Sequence, residues 1–257
     1  MINVAEGTVD VVIPARLAST RLPGKLLLNL AGKPVIQRTY EQVQRAPAIN
    51  HIFIATDSEE IAAACKTFTH RVIMTRNDHQ SGTDRIAEAA RHLSSSFIIN
   101  VQGDEPFMDP DIVSKLALLL KESNARMVSG MGLITNETDL MNPAVVKVVV
   151  NEQQEALYFS RSPIPWHRDS FSFSNPLPLP AEVPYFRHYG IYGYQRNFLL
   201  QYSQWPQGKL EQVEKLEQLR VLENGFNIKM LRIDKPIFGI DTPADLEKAR
   251  HFINANP

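Results

Sequence analysis

A mostly parallel α/β sheet covered by helices is the fold class this sequence predicts, and three observations predict it. Short β-branched apolar runs alternate with amphipathic helical stretches through the first half of the chain. One run, FIINV at 97–101, carries apolar residues at consecutive positions, as suits a strand buried on both faces. A cluster of cations, Arg16, Arg21 and Lys25 within IPARLASTRLPGK (13–25), directly follows the first run, at a strand's carboxyl end where open α/β sheets bind ligands.

The first strand is Val9, Val11, Val12 and Ile13, ended by Pro14, and a loop of small residues follows. Residues 34–45 read as a helix with Pro34 near its first turn, and HIFIAT (51–56) as the second strand. Asp57, Ser58, Glu59 and Glu60 cap a helix carrying Ile61 and Ala64. A short strand at 71–74, a helix at 83–92 and the strand at 97–101 continue the alternation, and beyond Asp109 a helix runs through Leu116, Leu118, Leu119 and Leu120. The pattern then changes. Residues 145–150 and 156–159 read as consecutive strands across Asn151, Glu152, Gln153 and Gln154, a hairpin. Six prolines between 163 and 184 mark an irregular, surface-running segment. A helix at 216–223, a strand at 228–232 and a terminal helix at 245–254 resume the alternation. We expect a single α/β domain over 1–257, with an excursion at about 145–200.

The 257 residues carry a net charge of −1, which gives no field for a long polyanion and argues against nucleic acid as a partner. The chain shows no basic start followed by an apolar core and no apolar run of spanning length, so a cytoplasmic protein without membrane insertion is expected. Cys65 is the only cysteine, which excludes an internal disulfide and a multi-cysteine zinc site; among Ala62, Ala63 and Ala64 it reads as an inert helix interior.

The 13–25 loop is no Walker loop, because Ser19 stands where Gly is needed and Leu26 where Ser or Thr is needed. Nor is it a dinucleotide fingerprint, with Gly24 alone among the required glycines. By itself it reads as an anion loop or a solvated basic loop. In NVQGDEP (100–106) a buried strand runs through Gly103 into two carboxylates, by themselves a helix-capping or solvated acid pair; Asp104 is the better candidate for Mg²⁺, Gln102 offers a donor and an acceptor, and Glu105 is expected to turn outward. GIDTPADL (239–246) reads as a helix start capped by Asp241 or Thr242, which leaves Asp241 an oxygen for metal. HQSGTDR (79–85) places Ser81, Gly82 and Thr83 at a helix start, either a cap or a ligand site, with Arg85 one turn in. Arg161, Arg187 and His188 are polar residues in apolar settings; His188 reads by default as structural, or with flanking Arg187 and Tyr189 as an acid-sugar pocket. KLEQLR (215–220) reads as a solvated helix face.

These motifs, with NPAVVKVV (142–149), ALYFSRSPIP (156–165) and RHYGIYGY (187–194), occur in an order that closely resembles the 3-deoxy-manno-octulosonate cytidylyltransferase (CMP-Kdo synthetase) family from about Val9 to Arg250. In that family the anomeric hydroxyl of 3-deoxy-manno-octulosonate (Kdo) attacks the α-phosphorus of CTP, and CMP-Kdo and pyrophosphate leave. The resemblance implies a nucleotidyltransferase fold with a smaller part contributing to a homodimer. It also implies that Arg16, Ser19, Arg21 and Lys25 hold the triphosphate, with Gln80, Ser81 and Gly82 in the nucleotide cleft. Asp104 and Asp241 would bind Mg²⁺, and Lys25, Arg21 and both acids would carry catalysis. Arg85, Gln102, Arg161, His188, Tyr189, Glu217 and Gln218 would face the sugar. Departures are Leu17 for the usual Tyr, Leu26 for the usual Pro, Trp166 after Pro-Ile-Pro, and the length of 170–184; none touches a phosphate or metal position. The competing readings are transfer to another acidic sugar, 8-amino-Kdo or sialic acid, and a non-catalytic nucleotide-sugar sensor. The sensor should have lost a site cation or carboxylate, and Lys25, Asp104 and Asp241 are all present.

Overall fold

The computed structural model describes residues 5–19, 21–79, 81–171, 179 and 183–255. The chain opens with β1 (Ala5–Ala15), a 3-10 turn (Lys25–Leu27), the small hairpin β2 (Asn29–Leu30) and β3 (Lys33–Pro34), and α1 (Val35–Gln44). Then come β4 (His51–Thr56), α2 (Glu59–Cys65), β5 (Val72–Met74), α3 (Gly82–Ala90), β6 (Ser95–Asn100), α4 (Pro110–Glu122) and β7 (Met127–Leu133). The rest is α5 (Glu137–Met141), β8 (Lys147–Val150), β9 (Ala156–Ser160), β10 (Phe186–Gln195), α6 (Arg196–Tyr202), α7 (Lys209–Glu214), α8 (Leu219–Glu223), β11 (Ile228–Arg232) and α9 (Pro243–Ala255).

The main sheet runs β11-β7-β10-β6-β1-β4-β5, with β8 on β10 and β9 on β8. All the strands along this path are parallel except β10, which runs antiparallel to both β6 and β7. The expected parallel sheet and the β8–β9 hairpin are thus observed. Apolar side chains at consecutive positions serve both faces. Val11 and Ile13 of β1 and Ile99 of β6 enter a core with α1, α2 and α4, while Val12 and Ile98 enter a second core with α3, α6 and α8.

Three expectations are corrected. Pro14 does not end β1: Pro14 and Ala15 pair with Ala55 and Thr56, whereas the pairing with β6 stops at Val12. A proline is tolerated there because the ladder is one-sided. The helix expected over 216–223 covers only Leu219–Glu223, because Lys215 takes a left-handed φ of 54° that closes α7 and turns 216–218 inward. KLEQLR is therefore no solvated face: Leu216, Gln218, Leu219 and Arg220 are buried. The proline-rich segment lies in part outside the described residues; around it, Phe171 and Tyr185 pack with Ile134, Leu140 and Val145 in a small core of their own. Among the described residues, no helix is long and apolar enough to cross a membrane.

Candidate active site

The carboxyl ends of β1 and β6 open onto a cavity of about 350 Å³ lined by Arg16, Ser19, Arg21, Lys25, Gln102, Gly103, Asp104 and Asp241. Gly24, at φ 64°, turns the loop into the 3-10 helix, whose Leu26 is buried in the core while Lys25 points back to the cavity. Lys25 Nζ donates to Asp104 Oδ2 and, at 3.0 Å, to Asp241 Oδ1; Arg21 Nη2 reaches the same Asp241 oxygen at 3.1 Å. Burial draws the Lys25 ammonium downward, but the two carboxylates outweigh it and hold its pKa above the usual 10.5.

Backbone contacts explain why acids so distant in sequence meet. Ile240 N–H donates to the Asp104 carbonyl at 2.9 Å, and the Thr39 hydroxyl of α1 donates to the Gly103 carbonyl at 2.9 Å. Asp241 does not cap α9. Thr242 Oγ1 accepts from the Asp245 amide, and the Asp245 carboxylate accepts from the amides of Asp241 and Thr242, a capping box that leaves the Asp241 carboxylate to Lys25 and Arg21. Glu105 is corrected as well. It turns inward, with Oε2 buried and without a hydrogen-bond partner; burial first, then Asp104 and Asp241, push its carboxyl well above the usual range.

A narrower recess, about 40 Å³, shares Pro14, Arg16 and Gln102 with this cavity and continues to His79, Ser81, Gly82 and Arg85. Gln102 Nε2 donates to Asn100 Oδ1 at 3.2 Å. Ser81 Oγ accepts from the Asp84 amide, so the capping reading of HQSGTDR holds beside the cavity role. Gln80 lies outside the described residues. The Arg85 side chain lines this recess, but its guanidinium is held by Asp57 at 3.1 Å and by Thr75, which makes it a brace between α3 and the ends of β4 and β5.

A third cavity, about 280 Å³, is lined by Ala144, Val145, Val146, Arg187, His188, Gly190, Tyr192, Lys215, Leu216, Glu217 and Gln218. Glu217 links it to the recess beside Ser81, since its carboxyl, pushed upward by burial, faces the hydroxyls of Thr83 and Ser81. Of the seven residues assigned to the sugar, Arg85 and Gln102 line the recess instead, and Arg161 and Tyr189 line neither. Arg161 sits behind the walls: Nη1 donates to the Pro143 carbonyl at 2.9 Å and Nε to the Glu214 carbonyl at 2.7 Å. Tyr189 faces the opposite side of the sheet, its ring over Gly132, because β10 places successive residues on opposite faces and then bulges after Tyr189.

Sequence reasoning missed Lys215, Tyr192 and Lys147. Lys147 is fully buried and donates to the carbonyls of Asn142 and Val145, so with Arg161 it pins the 142–145 wall. A cation inside the β-branched run VVKVVV was the available signal. A wider cavity, about 750 Å³, lies between α3 and the α6–α7 connection and shares only His79 with the recess above.

The family model described as Cytidylyltransferase matches residues 11–233. A protein of Solibacter usitatus named 3-deoxy-manno-octulosonate cytidylyltransferase is 44% identical over 246 residues, covering 95% of this chain and 94% of its own. One of the same name from Histophilus somni is 45% identical over 251 residues, covering 95% and 98%. Among solved structures, a CMP:2-keto-3-deoxy-manno-octonic acid synthetase complexed with CTP superposes with a TM-score of 0.89 at 40% identity, over 97% of this chain and all of that one. The 4-diphosphocytidyl-2C-methyl-D-erythritol synthase of Anaerococcus prevotii, at 12% identity and a TM-score of 0.62 over 97% of each chain, shares the fold alone.

Proposed function

The chain belongs to the 3-deoxy-manno-octulosonate cytidylyltransferases, and from that premise we propose how its own residues carry the reaction. CMP passes from CTP to Kdo, giving CMP-Kdo and pyrophosphate for lipopolysaccharide synthesis. The observation that carries the assignment of roles is the convergence of Asp104 and Asp241 on Lys25 beside a cationic loop.

Arg16, Ser19, Arg21 and Lys25 hold the triphosphate, and Ser81 and Gly82 lie toward the base and ribose. The two carboxylates suit Mg²⁺: hard oxygens from two elements already converge on a cation, and this metal takes one or two protein carboxylates, filling its shell with phosphate and water. When bound, Mg²⁺ neutralises phosphate charge and lowers the pKa of an attacking hydroxyl. Lys25, with Arg21, would meet the charge that grows on departing pyrophosphate, and Asp104 and Asp241 would hold the metal. The 280 Å³ cavity holds Kdo. Arg187 and Lys215 answer its carboxylate, and His188, Gln218, Tyr192 and Glu217 fix its orientation for in-line attack.

The excursion at about 145–200 belongs to the same nucleotidyltransferase domain and supports a homodimer: Leu157 and Trp166 are exposed on it, and Val213 of α7 is 82% exposed. The setting is the cytoplasm, where CTP is available. The test is pyrophosphate release by the purified protein with CTP, Mg²⁺ and one acceptor at a time. Turnover with Kdo is expected; release with N-acetylneuraminate in its place refutes the acceptor assignment. Light scattering at micromolar concentration should give a dimer, and a monomer there refutes that part.

A further inference from the structure

Ser129 of β7 is fully buried behind the 280 Å³ cavity and lines none of it. Its hydroxyl meets three groups: the Ile191 carbonyl at 2.9 Å, the Tyr189 carbonyl at 3.3 Å and His188 Nε2 at 2.9 Å. A hydroxyl has one proton and two lone pairs, and a carbonyl only accepts. The proton therefore goes to the backbone, the Ile191 carbonyl being nearer, and a lone pair is left for the imidazole. His188 Nε2 carries a hydrogen and donates it.

Burial keeps this imidazole neutral by pushing its pKa down to about 3, so with hydrogen on Nε2 the other nitrogen is bare. Gln218 Nε2 stands 3.3 Å from His188 Nδ1 and donates to it. The amide oxygen is thereby turned to Tyr192, whose hydroxyl donates to Oε1 at 3.3 Å. Tyr192 is itself buried and held protonated, so it fills the donor role at that end. One direction of donation runs through all four side chains: Tyr192 to Gln218, Gln218 to His188, His188 to Ser129, Ser129 to backbone. The second N–H of Gln218 and the Tyr192 oxygen lone pairs are what this direction leaves for a ligand.

We propose that Ser129 is a positioning residue that sets the hydrogen-bond polarity of the acceptor cavity, acting through the His188 tautomer on the Gln218 amide. The inference rests on the reading of that cavity as the Kdo site. With the opposite tautomer, His188 Nδ1–H would take the amide oxygen and the NH₂ would face Tyr192, so the donor pattern offered to a polyhydroxylated carboxylate would invert.

The experiment is nitrogen NMR of the full-length protein labelled at histidine, with the His188 signal assigned by its loss in His188→Gln, alongside steady-state kinetics. The wild type should carry its His188 proton on Nε2 between about pH 6 and 8. In Ser129→Ala the tautomer preference should be lost and KM for Kdo should rise about tenfold, with KM for CTP unchanged within about twofold. Ser129→Cys, which keeps a weak acceptor, should restore part of both. A wild-type proton on Nδ1 overturns the proposal without any substitution. So does a folded Ser129→Ala with the wild-type tautomer and wild-type KM for Kdo. Gln218→Ala separates the two layers: an unchanged KM for Kdo there shows that the cavity does not hold the acceptor, whatever the tautomer proves to be.

Discussion

Ile240 N–H donates to the Asp104 carbonyl across 2.9 Å, so the residue before Asp241 is bonded to the backbone of the other site carboxylate. Two acids from separate parts of the chain are thereby held at one spacing before any ligand arrives, with Lys25 between them.

Lys25→Ala should lower kcat/KM at least about a hundredfold, because its cation acts on charge that develops in the transition state. The contact also has a pH signature. The folded pKa lies above 10.5, so the stabilisation is complete below that value and is lost as pH rises through the higher folded one. The wild-type thermal midpoint should fall more steeply than that of Lys25→Met above pH 10.5; parallel curves would count against the three-way contact.

Asp241 and Thr242 should separate function from stability. Thr242→Ala removes the cap of α9 and should cost about 1 kcal/mol in urea unfolding, with kcat little changed. Asp241 is half exposed, and Asp241→Asn should cost no more than about 0.5 kcal/mol while abolishing most activity and altering its Mg²⁺ dependence. The double variant Asp104→Asn, Asp241→Asn should be little worse than either single one, since groups acting as one unit are non-additive. A normal metal profile in Asp241→Asn would refute its place in the site.

Gly103→Ala should impair CTP binding. A Cβ there would lie 3.2 Å from the Pro14 carbonyl and 3.3 Å from Leu26, while the Thr39 hydroxyl holds the Gly103 carbonyl in place. The loop that carries Lys25 has to shift, so KM for CTP should rise several-fold, with a stability loss of about 1–3 kcal/mol. Wild-type kinetics in this variant would show that the contact between loop and strand end is slack.

Cys65 should be inert. It is buried in α2, and burial pushes its thiol up to about 12. Iodoacetamide at pH 8 should leave the native protein active and unlabelled by mass spectrometry, with one adduct after denaturation. Rapid native labelling would contradict the burial.

β4, with its apolar run, and β11, where Ile228 and Met230 alternate with less buried residues, match their sequence patterns residue for residue, because local periodicity suffices there. In β7, MVSGMGL dilutes its apolar residues with two glycines and Ser129, which leaves no local strand pattern. The position of β10 between β6 and β7 depends on long-range pairing, which no local pattern records. The same division holds in the site. Asp104 and Asp241 were legible because each follows an apolar stretch through a small turn, whereas their meeting on Lys25 is a tertiary fact. The resemblance places Arg85 and Arg161 against ligand, yet their guanidinium groups are engaged by Asp57 and by main-chain carbonyls. A motif names a residue type and leaves the direction of its side chain open.

Because β10 runs against its neighbours, its first residues, rather than its last, stand at the same sheet edge as the ends of β1 and β6. The proposed acceptor cavity is accordingly lined by residues from 144 to 218, with Ser129 of β7 behind it, and the proposed donor cavity by residues from 14 to 104 with Asp241 returning at the end. The two substrate preferences are therefore heritable as separate blocks. Exchange of the later block between relatives, together with Ser129, would change which acid is accepted and leave the nucleotide chemistry where it was, the new β10 having to pair with the resident β6 on one side and β7 on the other.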